Sequence, residues 1–332
     1  MKCSLCDKKA VREIPYMKLF LCREHFINWF NQRFIKDSKK YKLFENSKKV
    51  AVAVSGGKDS TTLLHLLNDA SKQLNFEIVG LTIDLGIDNG TGYSRKSVEI
   101  AVKNFNMAQV KYKVIDLNKE YNFNIDKAKY GTNRPACSVC GLSKRYILNA
   151  AAEEMDADTL ATGHNLDDMA QFIFSGYIYG NLESLARNSL INPPERGYRI
   201  KKVKPLFFTP ESEILHYAIL MGFPFIYDPC PYSSEFGSVA QERIGDMLKN
   251  MEAKMPGIMM NLAKTFEQQI RPALHDIYSR NEDVGKCKLC GRPTSKGREI
   301  CSFCSIKNKL TNQPIDFKKS DNSLLNFNGS SR

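Results

Sequence analysis

The sequence predicts an α/β fold in which a doubly wound parallel sheet carries a small metal-binding knuckle at each end of the chain. The first observation is an alternation of short, β-branched apolar segments with longer segments of helical periodicity. The second is the Cys-x-x-Cys spacing, which occurs near both ends. The third is composition: 332 residues, of which 42% are hydrophobic and 25% charged, suit a globular protein of about two domains.

The central sheet is predicted from the alternation of strands and helices. Val50–Val54 is a short, valine-rich segment that fits a buried strand. Later strands are predicted over residues 77–83, 110–115, 159–162 and 201–205. Helices are predicted over residues 26–40, 59–74, 94–106, 142–156, 166–180 and 210–221, with a helical region over 237–279 that is divided at Pro256-Gly257. Helices between successive strands indicate a parallel sheet that is covered on both faces.

The chain is basic, and no segment suits a membrane. Its 48 Lys and Arg residues against 36 Asp and Glu residues give a net charge of +12, which favours nucleic acid or another polyanion as a partner. No apolar run approaches the roughly 18 residues of a membrane span, and the first residues lack the apolar core of a signal peptide. We therefore expect a cytoplasmic protein with no membrane contact.

Seven cysteines and one histidine form two quartets with the spacing of closed zinc sites. Structural disulfides are not expected among ten cysteines in a reducing compartment. Each quartet consists of two pairs, and within each pair two residues separate the ligands, so that both side chains can face one ion. The N-terminal quartet is Cys3, Cys6, Cys22 and His25, and the C-terminal quartet is Cys287, Cys290, Cys301 and Cys304. The pattern predicts two Zn²⁺ ions.

A phosphate-binding loop is predicted directly after the first strand. Two glycines allow a tight turn, and the following helix presents unpaired N–H groups to an anion. The loop residues are Ser55, Gly56, Gly57, Lys58, Asp59 and Ser60. Their spacing fits neither the GxxxxGK[ST] nor the GxGxxG pattern.

Three cysteines remain outside the quartets. Cys137 and Cys140 form a further Cys-x-x-Cys pair just before a predicted helix, and Cys230 lies between Pro229 and Pro231. Three thiolates can hold three irons of a [4Fe–4S] cluster and leave the fourth iron open. The same residues could instead carry a persulfide and resolve it as a disulfide, or could be structural. Spacing alone leaves these alternatives open.

These motifs, in their order, resemble one family. The SGGKDS loop resembles the PP-loop of ATP pyrophosphatases, which share an adenine-nucleotide-hydrolase-like fold. It is followed by CSVCG with LSKRY, by TGHNLDD at Thr162–Asp168, and by a single Pro-Cys-Pro, between knuckles at both ends. The set is similar to the TtuA/NcsA group of tRNA 2-thiouridine synthetases, and the resemblance covers residues 1–310.

The resemblance implies an activity and its residues. ATP would adenylate the 2-oxygen of a tRNA uridine, and sulfide carried by a [4Fe–4S] cluster on Cys137, Cys140 and Cys230 would replace the adenylate. The ATP-binding positions would be Ala53, Ser55, Gly56, Gly57, Lys58, Asp59, Ser60, Ile83, Lys144, Gly163 and Asp168. Lys58 would neutralise phosphate charge in the transition state. Asp168 would bind Mg²⁺ or position a base, with the adjacent Asp167 as an alternative.

Partners and target follow from the same resemblance. It implies tRNA, a homodimer, and a sulfur donor that is free sulfide or a ubiquitin-like thiocarboxylate protein. The group modifies either wobble uridine 34 or T-loop uridine 54. In this group, thiolation of uridine 54 serves mainly heat tolerance. Because this composition lacks the charge richness of hyperthermophile proteins, uridine 34 is favoured and uridine 54 is the alternative.

The expected domain organisation places the catalytic part in the middle of the chain. Its divisions are an N-terminal zinc finger (1–27), a linker helix (28–47), a PP-loop ATP-binding domain (48–235), a helical region (236–282), a C-terminal zinc finger (283–308) and a disordered tail (309–332).

Overall fold

The computed structural model describes residues 1–194, 199–233, 238–278, 284–295 and 297–311. In the segment 238–278, side chains are described from residue 242 onward. The strands are β1 (Arg12–Ile14), β2 (Leu19–Leu21), β3 (Lys49–Ala53), β4 (Glu77–Asp84), β5 (Lys111–Asp116), β6 (Thr159–Ala161), β7 (Ile191–Asn192), β8 (Lys201–Val203), β9 (Val284–Lys286) and β10 (Pro293–Ser295). The helices are α1 (Arg23–Lys40), α2 (Lys58–Leu74), α3 (Tyr93–Met107), α4 (Leu117–Tyr121), α5 (Ile125–Gly131), α6 (Ala136–Glu154), α7 (Leu166–Ile178), α8 (Leu182–Arg187), α9 (Glu211–Met221), α10 (Ser238–Lys254), α11 (Ile258–Thr265), α12 (Arg271–Tyr278) and α13 (Ser302–Thr311).

The predicted doubly wound sheet is confirmed. Six strands pair in the order β5-β4-β3-β6-β8-β7, and all pairs are parallel except that of β7 with β8. Alternate residues of β3 serve opposite layers, since side chains alternate along a strand. Val50 and Val52 belong to the core that α1, α2 and α7 cover, whereas Ala51 belongs to the core that α6 covers. The antiparallel edge strand β7 has two residues, too few to give a sequence signal.

Several predicted element boundaries are corrected. The helix predicted from residue 142 begins at Ala136, so Cys137 and Cys140 lie within its first turns instead of before it. The apolar periodicity begins only at Leu142, whereas the helix begins directly after Pro135, which occupies the N-cap position. The helical region from 237 is interrupted as predicted, with Gly257 at φ +96° before α11. Short helices α4, α5 and α8 were not predicted.

Parts of the predicted organisation lie outside the described residues. They are the tail from residue 312, and the boundaries at 235/236 and 282/283. The first three residues of the predicted disordered tail, 309–311, are described and form the end of α13.

The N-terminal knuckle contacts a buried ion pair between α1 and α9 through the hydroxyl of Tyr16. Arg33 of α1 donates to Glu213 Oε2 of α9 at 2.8 Å and to the hydroxyl of Tyr16 at 2.6 Å. Tyr16 also donates to Glu213 Oε1 at 2.7 Å. The side chain of Glu213 is 2% exposed, so burial raises its pKa while Arg33 opposes that effect. These contacts fix the first knuckle against the helical layer.

The C-terminal knuckle packs on α5 and α6 through aromatic rings. Phe303 of α13 stacks on Tyr146 of α6, with ring centroids 3.9 Å apart and an angle of 8°. Arg292 lies over the same tyrosine at 5.4 Å and donates to Glu153 at 2.7 Å. Stacked rings of this kind stabilise by more than their buried area alone.

Candidate active site

The loop after β3 is held in a defined shape by its own side chains. Ser60 Oγ accepts from Ser55 N at 3.1 Å and lies 3.1 Å from Gly57 O. Gly56 has φ +79°, and a Cβ there would lie 2.5 Å from Ser97 O. Glycine is therefore required at this position both by its backbone conformation and by the close approach of α3.

A second loop packs against the first turn of α2. A Cβ on Gly163 would lie 2.9 Å from Ser60 N, so a side chain would push the two loops apart. The next residue, His164, places its Nδ1 2.9 Å from Thr162 Oγ1, and burial lowers its pKa to about 4. His164 is therefore neutral near pH 7.

Lys58 is paired with two carboxylates. Its Nζ donates to Asp59 at 3.1 Å and to Glu211 at 2.8 Å. Burial alone would lower the pKa of Lys58, but the two carboxylates raise it overall. Glu211 is at the first position of α9 and was missed by sequence reasoning, because nothing in the sequence indicates that residue 211 reaches Lys58.

Asp168 and Asp167 have different surroundings. Asp168 Oδ2 accepts from Asn165 N at 3.1 Å, while Asn165 Oδ1 accepts from Asp168 N at 3.0 Å, which forms a capping box at the start of α7. Desolvation, followed by the charges of Asp59, Glu211 and Asp167, raises the pKa of Asp168 to about 6. Asp167 instead accepts from the backbone of Glu211 at 2.7 Å and caps α9.

Most of the predicted ATP-binding residues line one cavity of about 1120 Å³. It lies at the carboxyl ends of β3, β4, β6 and β8, where ligands bind in open α/β sheets. The predicted residues that line it are Ala53, Ser55, Gly57, Asp59, Ser60, Ile83, Lys144, Gly163 and Asp168. Lys58 is engaged with the carboxylates and Gly56 packs on α3. Arg145, Lys202 and Lys204 also line the cavity and were not predicted as site residues.

The three cysteines outside the quartets come together beside this cavity. Cys137 donates to Tyr232 O at 3.3 Å, so the Pro229–Tyr232 segment lies against the start of α6. Burial raises the pKa of Cys140, and Cys230 raises it further, whereas Lys144 opposes the shift. All three thiols are half-buried and pack against the same apolar core.

Hydrogen bonds connect the cysteine segment to its surroundings. The Tyr232 hydroxyl donates to Asp126 Oδ1 of α5 at 2.7 Å. Ahead of Cys230, the N–H of Ile226 donates to Gly56 O at 2.9 Å. The phosphate loop and the segment bearing Cys230 are therefore joined directly through the backbone.

The two terminal quartets are compact. The four ligand atoms of each lie within 4.8 Å of one another: Cys3, Cys6, Cys22 and His25 in one, and Cys287, Cys290, Cys301 and Cys304 in the other. Thiolate and imidazole ligands at this spacing fit one tetrahedral Zn²⁺ each. Within the described parts of the chain, the three remaining cysteines do not form a group of this closeness. Their wider spacing suits a multi-iron cluster, with one iron for each thiolate.

The class of protein follows from the fold and the loop. Residues 30–238 match the PP-loop domain family, and residues 2–27 match the N-terminal LIM domain of the 2-thiouridine synthetase TtuA. None of the helices described is long and apolar enough to cross a membrane.

Relatives narrow that class. The tRNA-5-methyluridine(54) 2-sulfurtransferase of Pyrococcus horikoshii is 36% identical over 92% of this chain and 93% of its own length. The tRNA 2-thiolation protein NcsA of Haloferax volcanii is 30% identical over 92% and 98%. The structure of the U34-tRNA thiolase NcsA of Methanococcus maripaludis, solved with its [4Fe-4S] cluster, has a TM-score of 0.74 at 30% identity and covers 93% of this chain and 96% of that one. The chain belongs to the TtuA/NcsA family of tRNA 2-sulfurtransferases.

Proposed function

We propose that this protein replaces the 2-oxygen of a tRNA uridine by sulfur in an ATP-dependent reaction. The observation that carries the proposal is the proximity of two sites, since Gly56 of the phosphate loop accepts a hydrogen bond from Ile226, four residues before Cys230. A reaction that first activates the uridine with ATP and then transfers sulfur needs the ATP site and the sulfur site next to the same substrate atom.

The phosphate loop would bind ATP and Mg²⁺. Backbone N–H groups at the start of α2 and the charge of Lys58 would hold the phosphates, and the apolar side chains of Ala53 and Ile83 would contact the adenine. Phosphates would replace Glu211 as the partner of Lys58. Asp168, which faces the cavity, would hold Mg²⁺, and a bound cation would favour its ionised form.

The reaction balances in two steps. The uridine 2-oxygen attacks the α-phosphorus, and the bond to the β-phosphate breaks, so pyrophosphate leaves. Sulfide then attacks C2, and AMP leaves with the former 2-oxygen. Lys58 stabilises the charge that develops on the phosphates in the first step.

Metal and sulfur chemistry complete the proposal. Cys137, Cys140 and Cys230 would hold a [4Fe–4S] cluster, which supplies an open iron for sulfide; persulfide chemistry on the same thiols is the alternative. The two terminal quartets would hold Zn²⁺. A sulfur donor (free sulfide or a ubiquitin-like thiocarboxylate protein), a homodimer and a cytoplasmic location are part of the same proposal.

The target uridine is inferred from relatives. Three relatives named as tRNA-5-methyluridine(54) 2-sulfurtransferases are 36%, 33% and 32% identical to this chain. They favour uridine 54. Composition favoured uridine 34, and the structural neighbour from Methanococcus maripaludis, a U34-tRNA thiolase at 30% identity, supports that second candidate.

The proposal is tested by anaerobic thiolation of two tRNA transcripts, one with uridine 34 replaced by cytidine and one with uridine 54 replaced. We expect 2-thiouridine, measured by mass spectrometry, only in the transcript that retains uridine 54, with one AMP released per sulfur. Lys58→Ala should abolish AMP release and retain tRNA binding, whereas Cys230→Ala should lose thiolation and iron. Thiolation of the other transcript would reassign the target, and AMP release without thiolation of either transcript would refute the function.

A further inference from the structure

The cavity extends well beyond the phosphate loop. The strand order places the carboxyl ends of β3, β6 and β8 side by side, so the cavity runs from the loop after β3 to the residues of β7 and β8. Its volume of about 1120 Å³ exceeds the roughly 300–1,000 Å³ of a single small-molecule site. There is space for a second ligand beside ATP.

The two ends of the cavity differ in charge. In the described residues, the carboxylates that line it are Asp59 and Asp168, both next to the phosphate loop. At the opposite end it is lined by Arg145, Lys202 and Lys204, which we call the β8 subsite. Arg187 and Arg271 also line this end, where they form ion pairs with Glu183 and Glu267.

Lys204 is the most buried of these cations. Its exposed fraction is 8%, and its Nζ donates to Ser189 O and to Asn192 Oδ1, which are both neutral. Desolvation lowers the pKa of Lys204 to about 8; the charge of Glu267 opposes this shift, whereas Lys202 and Arg271 add to it. The atoms that accept from Lys204 are neutral, so burial of its ammonium group is costly, and an anion in the cavity would offset that cost.

The strand geometry explains which lysines face the cavity. Side chains alternate along β8, so Lys202 lies on one face and Lys201 on the other. Lys204, the residue directly after the strand, continues the face of Lys202. Lys201 donates instead to Glu45 O at 2.8 Å, away from the cavity. Lys201 therefore provides a matched control on the same strand.

We propose that the β8 subsite binds a backbone phosphate of the RNA strand that carries the target uridine, so that its extruded nucleotide reaches the phosphate loop. The inference rests on the proposed function. A base must leave its stack for chemistry at its edge, and cationic side chains fix the strand through its phosphates. The rings of Phe172 and Tyr278, which line the same cavity, offer surfaces on which a base can stack.

The test measures tRNA affinity of the full chain against salt concentration, with an unmodified transcript that contains both uridines. We expect Lys202→Met and Lys204→Met each to reduce the slope of log affinity against log salt by about 0.7, the value for one lost single-strand phosphate contact. Lys201→Met should keep the wild-type slope. Titration with a non-hydrolysable ATP analogue should give one equivalent and the same affinity in all three variants, which also verifies folding.

The outcomes separate this inference from the proposed function. Wild-type slopes for both Lys202→Met and Lys204→Met, in a protein that thiolates tRNA, would overturn the inference alone. A second equivalent of ATP analogue that is lost in Lys204→Met would also overturn it, because the subsite would then bind nucleotide. Failure of the wild-type protein to bind or thiolate tRNA would refute the proposed function. If Lys204→Met does not bind the analogue, the salt dependence of tRNA binding by Lys202→Met alone tests the inference.

Discussion

The two knuckles have similar ligand geometry but pack beside different parts of the site. Tyr16 of the N-terminal knuckle hydrogen-bonds to the buried Arg33–Glu213 pair that joins α1 to α9, and two residues before Glu213, Glu211 pairs with Lys58 of the phosphate loop. The C-terminal knuckle packs on α5 and α6; α6 carries Cys137 and Cys140, and Asp126 of α5 accepts from Tyr232, two residues after Cys230. The first knuckle therefore supports the ATP end of the site and the second supports the cysteine end, one by buried charge and the other by stacked rings.

The largest expected effect comes from removing one ligand of each quartet. Cys290→Ser should lose zinc and most of the iron, because a structural zinc contributes roughly 10–16 kcal/mol to local folding and α13 packs on α5 and α6. Cys6→Ser should lose zinc, keep its iron and bind ATP more weakly. Metal analysis after anaerobic reconstitution, with ATP titration, measures both. Equal iron loss in the two variants would contradict this division of roles.

An intermediate effect is expected from the ion pairs on which the two knuckles pack. Arg33→Met should lower the free energy of unfolding by roughly 3–5 kcal/mol, since it leaves the buried Glu213 unpaired. Arg292→Met breaks the more exposed pair with Glu153 and should cost about 1 kcal/mol or less. Urea unfolding compares the two. Similar losses of unfolding free energy in the two variants would show that the buried ion pair beside the N-terminal knuckle is no more important for stability than the pair beside the C-terminal knuckle.

A small effect on stability is expected from shape changes at two buried rings. Phe303→Leu and Phe26→Leu should each cost about 1 kcal/mol, because both side chains are buried and leucine keeps most of the apolar contact. Only Phe303→Leu should speed the loss of the iron absorbance in air, since Phe303 stacks on the helix that carries Cys137 and Cys140. Faster bleaching in Phe26→Leu as well would count against a specific role of the C-terminal knuckle.

The sequence predicted those features that depend on local pattern. Val50–Val54 and the residues that follow it show a strand, a loop and a helix start, and the quartets are visible from spacing. Glu211 and Lys204 could not be found in this way, because their relation to Lys58 and to the cavity depends on strand order. Helix α5 was missed since its seven residues are too few for helical periodicity, although Asn124, which caps it, is a usable signal.

The chain order of the three cysteines has a consequence for biosynthesis. Cys230 follows Cys140 by 90 residues, and α13 of the C-terminal knuckle, which packs on α6, comes later still in the chain. On the ribosome, the N-terminal quartet is complete once residue 25 has emerged, whereas the three-cysteine site lacks Cys230 until about 200 further residues have been made. If the proposed metals bind, zinc could therefore enter the first knuckle early in translation, whereas a [4Fe–4S] cluster on all three thiols could form only after residue 230 has emerged.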